Sequence, residues 1–178
     1  MTTETTPTGK ARPDHVDEVI TAWQRELPGV AGLPLEVAKR TSLLNHLFEK
    51  ATQHQLAKFG LTPADYGVLA TLRRVGTPYR LKPTELSNAI LLTSGGTANV
   101  LRRLTQLGLV SRTADATDGR STWVQLTEQG LVTAEQAVEA ATTAHARLLD
   151  RLPSDTAELL NDLLRRTLNA LDNESSGI

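Results

Sequence analysis

Apolar positions recur at helical spacing along most of this 178-residue chain. In "DHVDEVITAWQREL", Val16, Val19, Ile20 and Trp23 share one stripe, and Pro28-Gly29 ends the segment. A long amphipathic helix follows in "PLEVAKRTSLLNHLFEKATQHQLAKFG", with proline at its start, glycine at its end, and Leu43, Leu44, Leu47, Phe48, Ala51 and Leu56 on its apolar side. "TPADYGVLATLRRVG" carries helix-start chemistry: Thr62 as N-cap, Pro63 in the first turn and Asp65 behind it. Its stripe is Val68, Leu69, Leu72 and Val75. "KPTELSNAILL" repeats the proline start in a shorter helix, and "TSGGTANVLRRLTQLG" predicts another, capped by Thr93 or Ser94 and stopped by Gly108.

The period then changes. "LVSRT" and "STWVQL" are rich in β-formers, and the turn-prone "ADATDG" between them predicts a single hairpin. From Thr127 to Leu152 the chain is helical again, Pro153-Ser154-Asp155 interrupts it, and a last helix repeats Leu159, Leu160, Leu163, Leu164, Leu168 and Leu171. No internal repeat or long linker is visible.

Composition narrows the class. Aromatics are only 3% of the chain, so the core must be built from Leu, Val and Ala, which favours helix. With no cysteine, disulfides, cysteine-zinc sites and thiol nucleophiles are excluded. No apolar run approaches the ~18 residues of a spanning helix, so no membrane partner is expected. The polar start "MTTETTPTGKARPD" lacks a signal-peptide core and reads as a disordered arm of a cytoplasmic protein.

The net charge of -1 conceals a split. Between Arg73 and Arg120 stand eight basic residues against Glu85, Asp115 and Asp118, a net +5; the other eleven basic and seventeen acidic residues give -6. A local positive field of this kind binds polyanions while the remainder stays acidic.

The helix from residue 94 lies inside that window. Projected at 100° per residue, Val100, Leu101, Leu104 and Leu107 fall on one face. Ser94 opens the helix; Gly95, Ala98, Asn99, Arg102 and Gln106 lie opposite the apolar face, with Arg103 on the flank. Small residues first and hydrogen-bonding side chains later suit a helix entering a major groove, although a solvated helix face gives the same local pattern. A short helix, a tight turn, this helix and a hairpin make a winged helix-turn-helix. Arg120 at the hairpin tip, held extended by Asp118 beside Gly119, suits a narrow minor groove; an ordinary surface turn is the plainer reading.

The order of elements, "SGG" at the start of the recognition helix, "RLTQLGLVSR", the wing "DGRSTWVQLTEQG" and the leucine-rich terminal helices resemble the MarR family of transcription factors across residues 34 to 172. The helix bearing Trp23 and the run "LRRVGTPYRLKPTELSNAILLTSGG" resemble its urate-responsive branch, whose regulators answer to urate or other small anionic metabolites. The resemblance implies a homodimer with intertwined terminal helices, two winged helices on a pseudopalindromic double-stranded DNA site, and repression relieved by ligand. It makes Trp23, Arg74 and Arg112 candidate effector-pocket or coupling residues. His46, where Asn45-His46 breaks an apolar run, is a further pocket candidate. The chain departs from the pattern at Gly67, where the branch usually has an acid, at Val100, where the family usually has arginine, and at Arg102, where it usually has aspartate.

Other chemistry is not legible. His46 and His54 are eight residues apart, beyond the i,i+4 reach of a two-ligand helix site, so no metal or other cofactor is expected. Gly95-Gly96 opens no GxGxxG or Walker pattern, and no serine-histidine-aspartate set with an elbow appears. The chain is therefore expected not to be an enzyme. The expected fold is mainly α with a small β-wing, a winged helix-turn-helix with intertwined terminal dimerisation helices. Its parts are an arm (1–13), N-terminal helices for dimerisation and effector binding (14–60), a DNA-binding winged domain (61–127), C-terminal dimerisation helices (128–172) and a tail (173–178). The rival function is a dimeric adaptor using the winged fold for protein contacts, which would have no need of the basic window.

Overall fold

A computed structural model describes residues 12–114 and 122–175. The wing tip, with Asp118 and Arg120, lies outside the described residues. The chain divides into two compact units, Met1–Leu47 and Phe48–Ile178.

In the first unit, α1 (His15–Glu26) begins with a reciprocal cap. Asp14 accepts the backbone N–H of Val16 at 2.8 Å, and Asp17 accepts that of Asp14 at 2.6 Å, so donors left unpaired by the first turn are satisfied. Arg40 of α2 (Leu33–Leu56) ties the cap down: its guanidinium donates to Asp14 and Asp17 at 2.8 Å and to Glu36 at 2.9 Å. That guanidinium holds the Asp14 carboxyl below its ordinary value of 3.8. Val16 and Ile20 are buried.

The second unit is built around α3 (Pro63–Arg74). Thr62 caps it as expected, accepting from the Asp65 backbone at 3.1 Å while Asp65 Oδ2 accepts from the Thr62 backbone at 2.8 Å. Its stripe of Val68, Leu69 and Leu72 is fully buried, and it packs on α6 (Glu128–Leu149). The inward face of α6 consists of Gly130, Ala134, Ala137, Ala141 and Ala144, small enough for the two helices to approach closely. Gly130 has a different neighbour: a Cβ there would collide with the Leu109 carbonyl.

α4 (Pro83–Ala89) and α5 (Ser94–Gln106) complete the helical core through Leu86, Leu101 and Leu104, all buried. Each such leucine contributes about 2 kcal/mol by leaving water. Gly108, at φ 71°, turns the chain from α5 into β2 (Val110–Ala114), which pairs antiparallel with β3 (Thr122–Leu126).

The predicted hairpin is instead part of a three-stranded sheet. β1 (Arg80–Leu81), from the loop before α4, pairs with β3 in the order β1-β3-β2. Two residues are too few to show an alternating pattern, so this strand leaves no sequence signature. Leu107, placed on the buried face of α5 by the helical projection, is 45% exposed, because it is the C-cap and follows the chain out of the helix.

Among the described side chains of α7 (Thr156–Ser175) none is buried, and Leu159, Leu163, Leu164, Leu168 and Leu171 are all exposed along it. No helix among the described residues is long and apolar enough to cross a membrane.

Candidate nucleic-acid interface

α4, residues 90–93 and α5 form a helix-turn-helix. Pro83 occupies the first turn of α4, and Glu85 Oε2 accepts the Lys82 backbone N–H at 2.6 Å. Leu91 adopts φ 52° in the turn. Thr93 caps α5 by accepting from Gly96 N–H at 3.1 Å. The two helices are pinned by Ser87 Oγ, 2.9 Å from Oγ1 of the buried Thr97.

The two glycines of α5 have different reasons to be glycine. A Cβ at Gly96 would lie 3.2 Å from the capping Oγ1 of Thr93, a tight fit. At Gly95 a Cβ would meet nothing within 4 Å. The protein's own packing therefore places no demand on Gly95, which leaves the outer surface of the first turn low and open.

The exposed face of α5 carries Ser94, Gly95, Ala98, Asn99, Arg102 and Gln106. Arg102 donates to Asn99 Oδ1 at 2.9 Å, so the two long side chains are held together. Ala98, Arg102, Thr105 and Gln106 line a cavity of about 340 Å³ together with Arg112 of β2. Arg112, a candidate effector-pocket or coupling residue, thus lies beside the exposed face of α5.

Arg103 behaves differently from its neighbour. Its Nε donates to Asp65 Oδ2 at 2.9 Å and its Nη2 to the Gly60 carbonyl at 2.6 Å. Expected as a flank contact to DNA, it is engaged with the N-terminal end of α3. The Thr62–Asp65 cap was legible in the sequence; a pairing 38 residues away was not.

The candidate effector residues lie as follows. Trp23 on α1 is 41% exposed and His46 on α2 is exposed. Arg74 is exposed. The arginine of that pair with an acidic partner is Arg73, which donates to Glu135 of α6 at 2.8 Å and lies 5.3 Å from the Tyr79 ring centroid. It faces α6, whereas the next residue has turned 100° towards solvent. Gly67 is half-buried, and a Cβ there would make an ordinary 3.5 Å contact with Ile90. Its neighbour Tyr66 is buried enough to push its hydroxyl above the usual 10.

Two features escaped the sequence reading. A cavity of about 400 Å³ is lined by Phe48, Glu49, Thr52, Gln53, Pro63 and His145, with Thr52 Oγ1 2.6 Å from His145 Nε2 and the Phe48 ring edge-on to the imidazole. Trp123 on β3 is stacked by two cations from the β1 segment, Arg80 and Lys82. Among the described residues there is no group of three His, Asp or Glu side chains able to hold a metal ion.

Known proteins place this arrangement. A family model described as the MarR family matches residues 59–121. HTH-type transcriptional regulator PecS of Dickeya dadantii (strain 3937) is 29% identical over 163 residues, covering 92% of this chain and 98% of PecS. Transcriptional regulator HosA of Escherichia coli O127:H6 (strain E2348/69 / EPEC) is 30% identical over 129 residues, covering 71% of this chain and 92% of HosA. The apo structure of wild-type MarR from E. coli matches with a TM-score of 0.66 at 25% identity, covering 74% of this chain and 95% of that one. Sequence, winged fold and exposed basic helix converge, and the chain belongs to the MarR family of DNA-binding transcription regulators.

Proposed function

We propose that this regulator is a cytoplasmic homodimer that represses transcription by occupying a pseudopalindromic operator and is released by a small anionic metabolite. The observation that carries the operator reading is the outer face of α5. It is unobstructed at Gly95 and Ala98, and it presents Asn99, Arg102 and Gln106, with Arg112 alongside. Asparagine and glutamine suit adenine edges and arginine suits guanine, so this face has the donors and acceptors of direct readout. Arg120 is the proposed minor-groove contact. Dimerisation through residues 14–60 and 127–172 is supported by the leucines of α7, which no part of the described chain covers.

The anionic effector is supported by exposed side chains of suitable chemistry: the Trp23 indole as a stacking wall, and the Arg74 and Arg112 guanidinium groups as forked donors. Release requires that the ligand bind the DNA-free form more tightly than the bound form.

The test is a gel shift of the DNA flanking the gene with purified protein, repeated with a panel of carboxylates and purines, alongside light scattering. A shifted palindrome, a dimer mass and release by an anion are expected. A wild-type protein that is a folded monomer would sink the dimer. Failure to retard any flanking palindrome would sink the operator. An effector of equal affinity for wild type, Trp23→Phe and Arg74→Ala would remove those two residues from its site.

A further inference from the structure

Asn99 and Arg102 are both exposed on α5, and side chains at this spacing meet on a helix surface. Arg102 Nη2 donates to Asn99 Oδ1 at 2.9 Å. The chemistry of the two groups settles which end of the amide is engaged. A guanidinium has donors and no acceptor, so only the amide oxygen can meet it. The NH2 of Asn99 is left as the free end. Taken singly, asparagine reads adenine with both ends of its amide: the oxygen accepts from N6 and the nitrogen donates to N7. With Oδ1 committed to Arg102, Asn99 has donors to offer and Arg102 adds its remaining N–H groups. An adenine N6–H2 would reach that oxygen only beside the guanidinium, where its own donors are repelled. Arg112 lines the same cavity as Arg102, so a second donor-only side chain borders the pair.

We infer that Asn99 and Arg102 act as one donor-only unit that selects guanine in the operator, and that Arg102 thereby keeps Asn99 from reading adenine. This deepens the groove reading of α5 and rests on it. In the major groove guanine presents two acceptors, N7 and O6, on one edge; thymine presents one, and adenine and cytosine each present an amino donor. A donor-only unit therefore matches guanine and opposes adenine and cytosine, so its selectivity has a repulsive as well as an attractive part. The bond between the two side chains is charge-assisted, which makes it stronger than a neutral one. It restrains a long arginine before DNA arrives, which lowers the entropy lost on binding. Giving up that bond to read adenine would forfeit both gains. Asn99 is thus a positioning residue for Arg102, and Arg102 sets what Asn99 is able to recognise.

The experiment selects bound duplexes from a random-sequence library with the full-length wild type, Arg102→Ala and Asn99→Ala, and then measures Kd by anisotropy on the selected sequence. Wild type should enrich a guanine in each half-site, and Asn99→Ala should keep it. Arg102→Ala should lose it and gain adenine at that position or the next, because the released amide has both ends available. Replacing the guanine by adenine should raise the wild-type Kd roughly 5- to 150-fold and that of Arg102→Ala by less than about twofold. A duplex with 7-deazaguanine there lacks the N7 acceptor and should bind wild type more weakly. That measurement needs no variant: unchanged wild-type binding overturns the proposal even if a substituted protein fails to fold. An adenine enriched by wild type and lost in Asn99→Ala would show that Asn99 reads it, which overturns the donor-only unit and leaves the groove reading of α5 standing. Arg102→Ala selecting the same sequences as wild type would overturn the unit as well. A wild type that enriches no sequence at all would overturn both the unit and the groove reading.

Discussion

Arg103 of α5 donates to Asp65 of α3, whose side chain is 0% exposed, while Arg102 beside it points to solvent and pairs with Asn99. Adjacent residues on a helix differ by 100°, enough to send one guanidinium inward and its neighbour outward. Asp65 also accepts from the Thr62 backbone and hydroxyl, both at 2.8 Å. The start of α3 and the last turn of α5 are therefore linked through a single carboxylate. Arg103→Ala would leave that carboxylate buried without its cation. Since the arginine itself is 44% exposed, we expect a loss of about 1–3 kcal/mol in chemical denaturation, below the full effect of a buried pair. Asp65→Asn with Arg103→Ala should show clear coupling in a double-mutant cycle.

The same divergence separates two kinds of defect in DNA binding. Arg102→Ala should leave the denaturation midpoint near wild type and weaken operator binding by about 1–3 kcal/mol if it reads a base edge. Arg103→Ala should show the reverse order, with stability affected more than affinity measured where the protein is folded. Equal midpoints for the two variants would contradict the roles given to them.

Asp14 supplies a pH dependence confined to the first unit. Arg40 and the backbone donors hold its carboxyl below the ordinary 3.8. A depressed folded-state value means the stabilisation is fully present above the unfolded value and is lost as pH falls through the folded one. The α1 cap should therefore hold from neutral pH down past 3.8 and loosen only in stronger acid. Trp23 emission in a Trp123→Phe background reports on α1 and should change in that lower window. In Arg40→Ala the change should move to higher pH, because the cation that depresses the value is gone.

Much of this organisation was readable in the chain. The helix start at Thr62 announces itself through local cap chemistry, that of α5 was narrowed to Thr93 or Ser94, and the stripe of α3 follows from a period of 3.6 residues. The exposed face of α5 followed from the same periodicity. What stayed hidden depends on partners distant in sequence. The choice between Arg73 and Arg74 is made by Glu135, 62 residues beyond Arg73, and the inward turn of Arg103 by Asp65. β1 is defined only by its pairing with β3, and without that strand the meeting of Arg80, Lys82 and Trp123 has no local sign.

Gly95 and Gly96 offer a test in which stability and binding are expected to part. Glycine inside a helix is less stable than alanine by about 0.5–1 kcal/mol, chiefly because its unfolded chain is freer. At Gly95 an added Cβ points into open space, so Gly95→Ala should raise the denaturation midpoint. At Gly96 the Cβ would sit 3.2 Å from the Thr93 oxygen that caps the helix, so part or all of that gain should be offset by a disturbed cap. If the first turn of α5 lies close against DNA, the stabilised Gly95→Ala protein should nevertheless bind its operator more weakly, because the methyl group occupies space needed by the duplex. Circular dichroism melts and anisotropy titrations on the same samples give both quantities. A Gly95→Ala variant that is more stable and binds as tightly as wild type would show that DNA does not approach this turn closely, and the docking of α5 would have to be tilted towards Arg102 and Gln106.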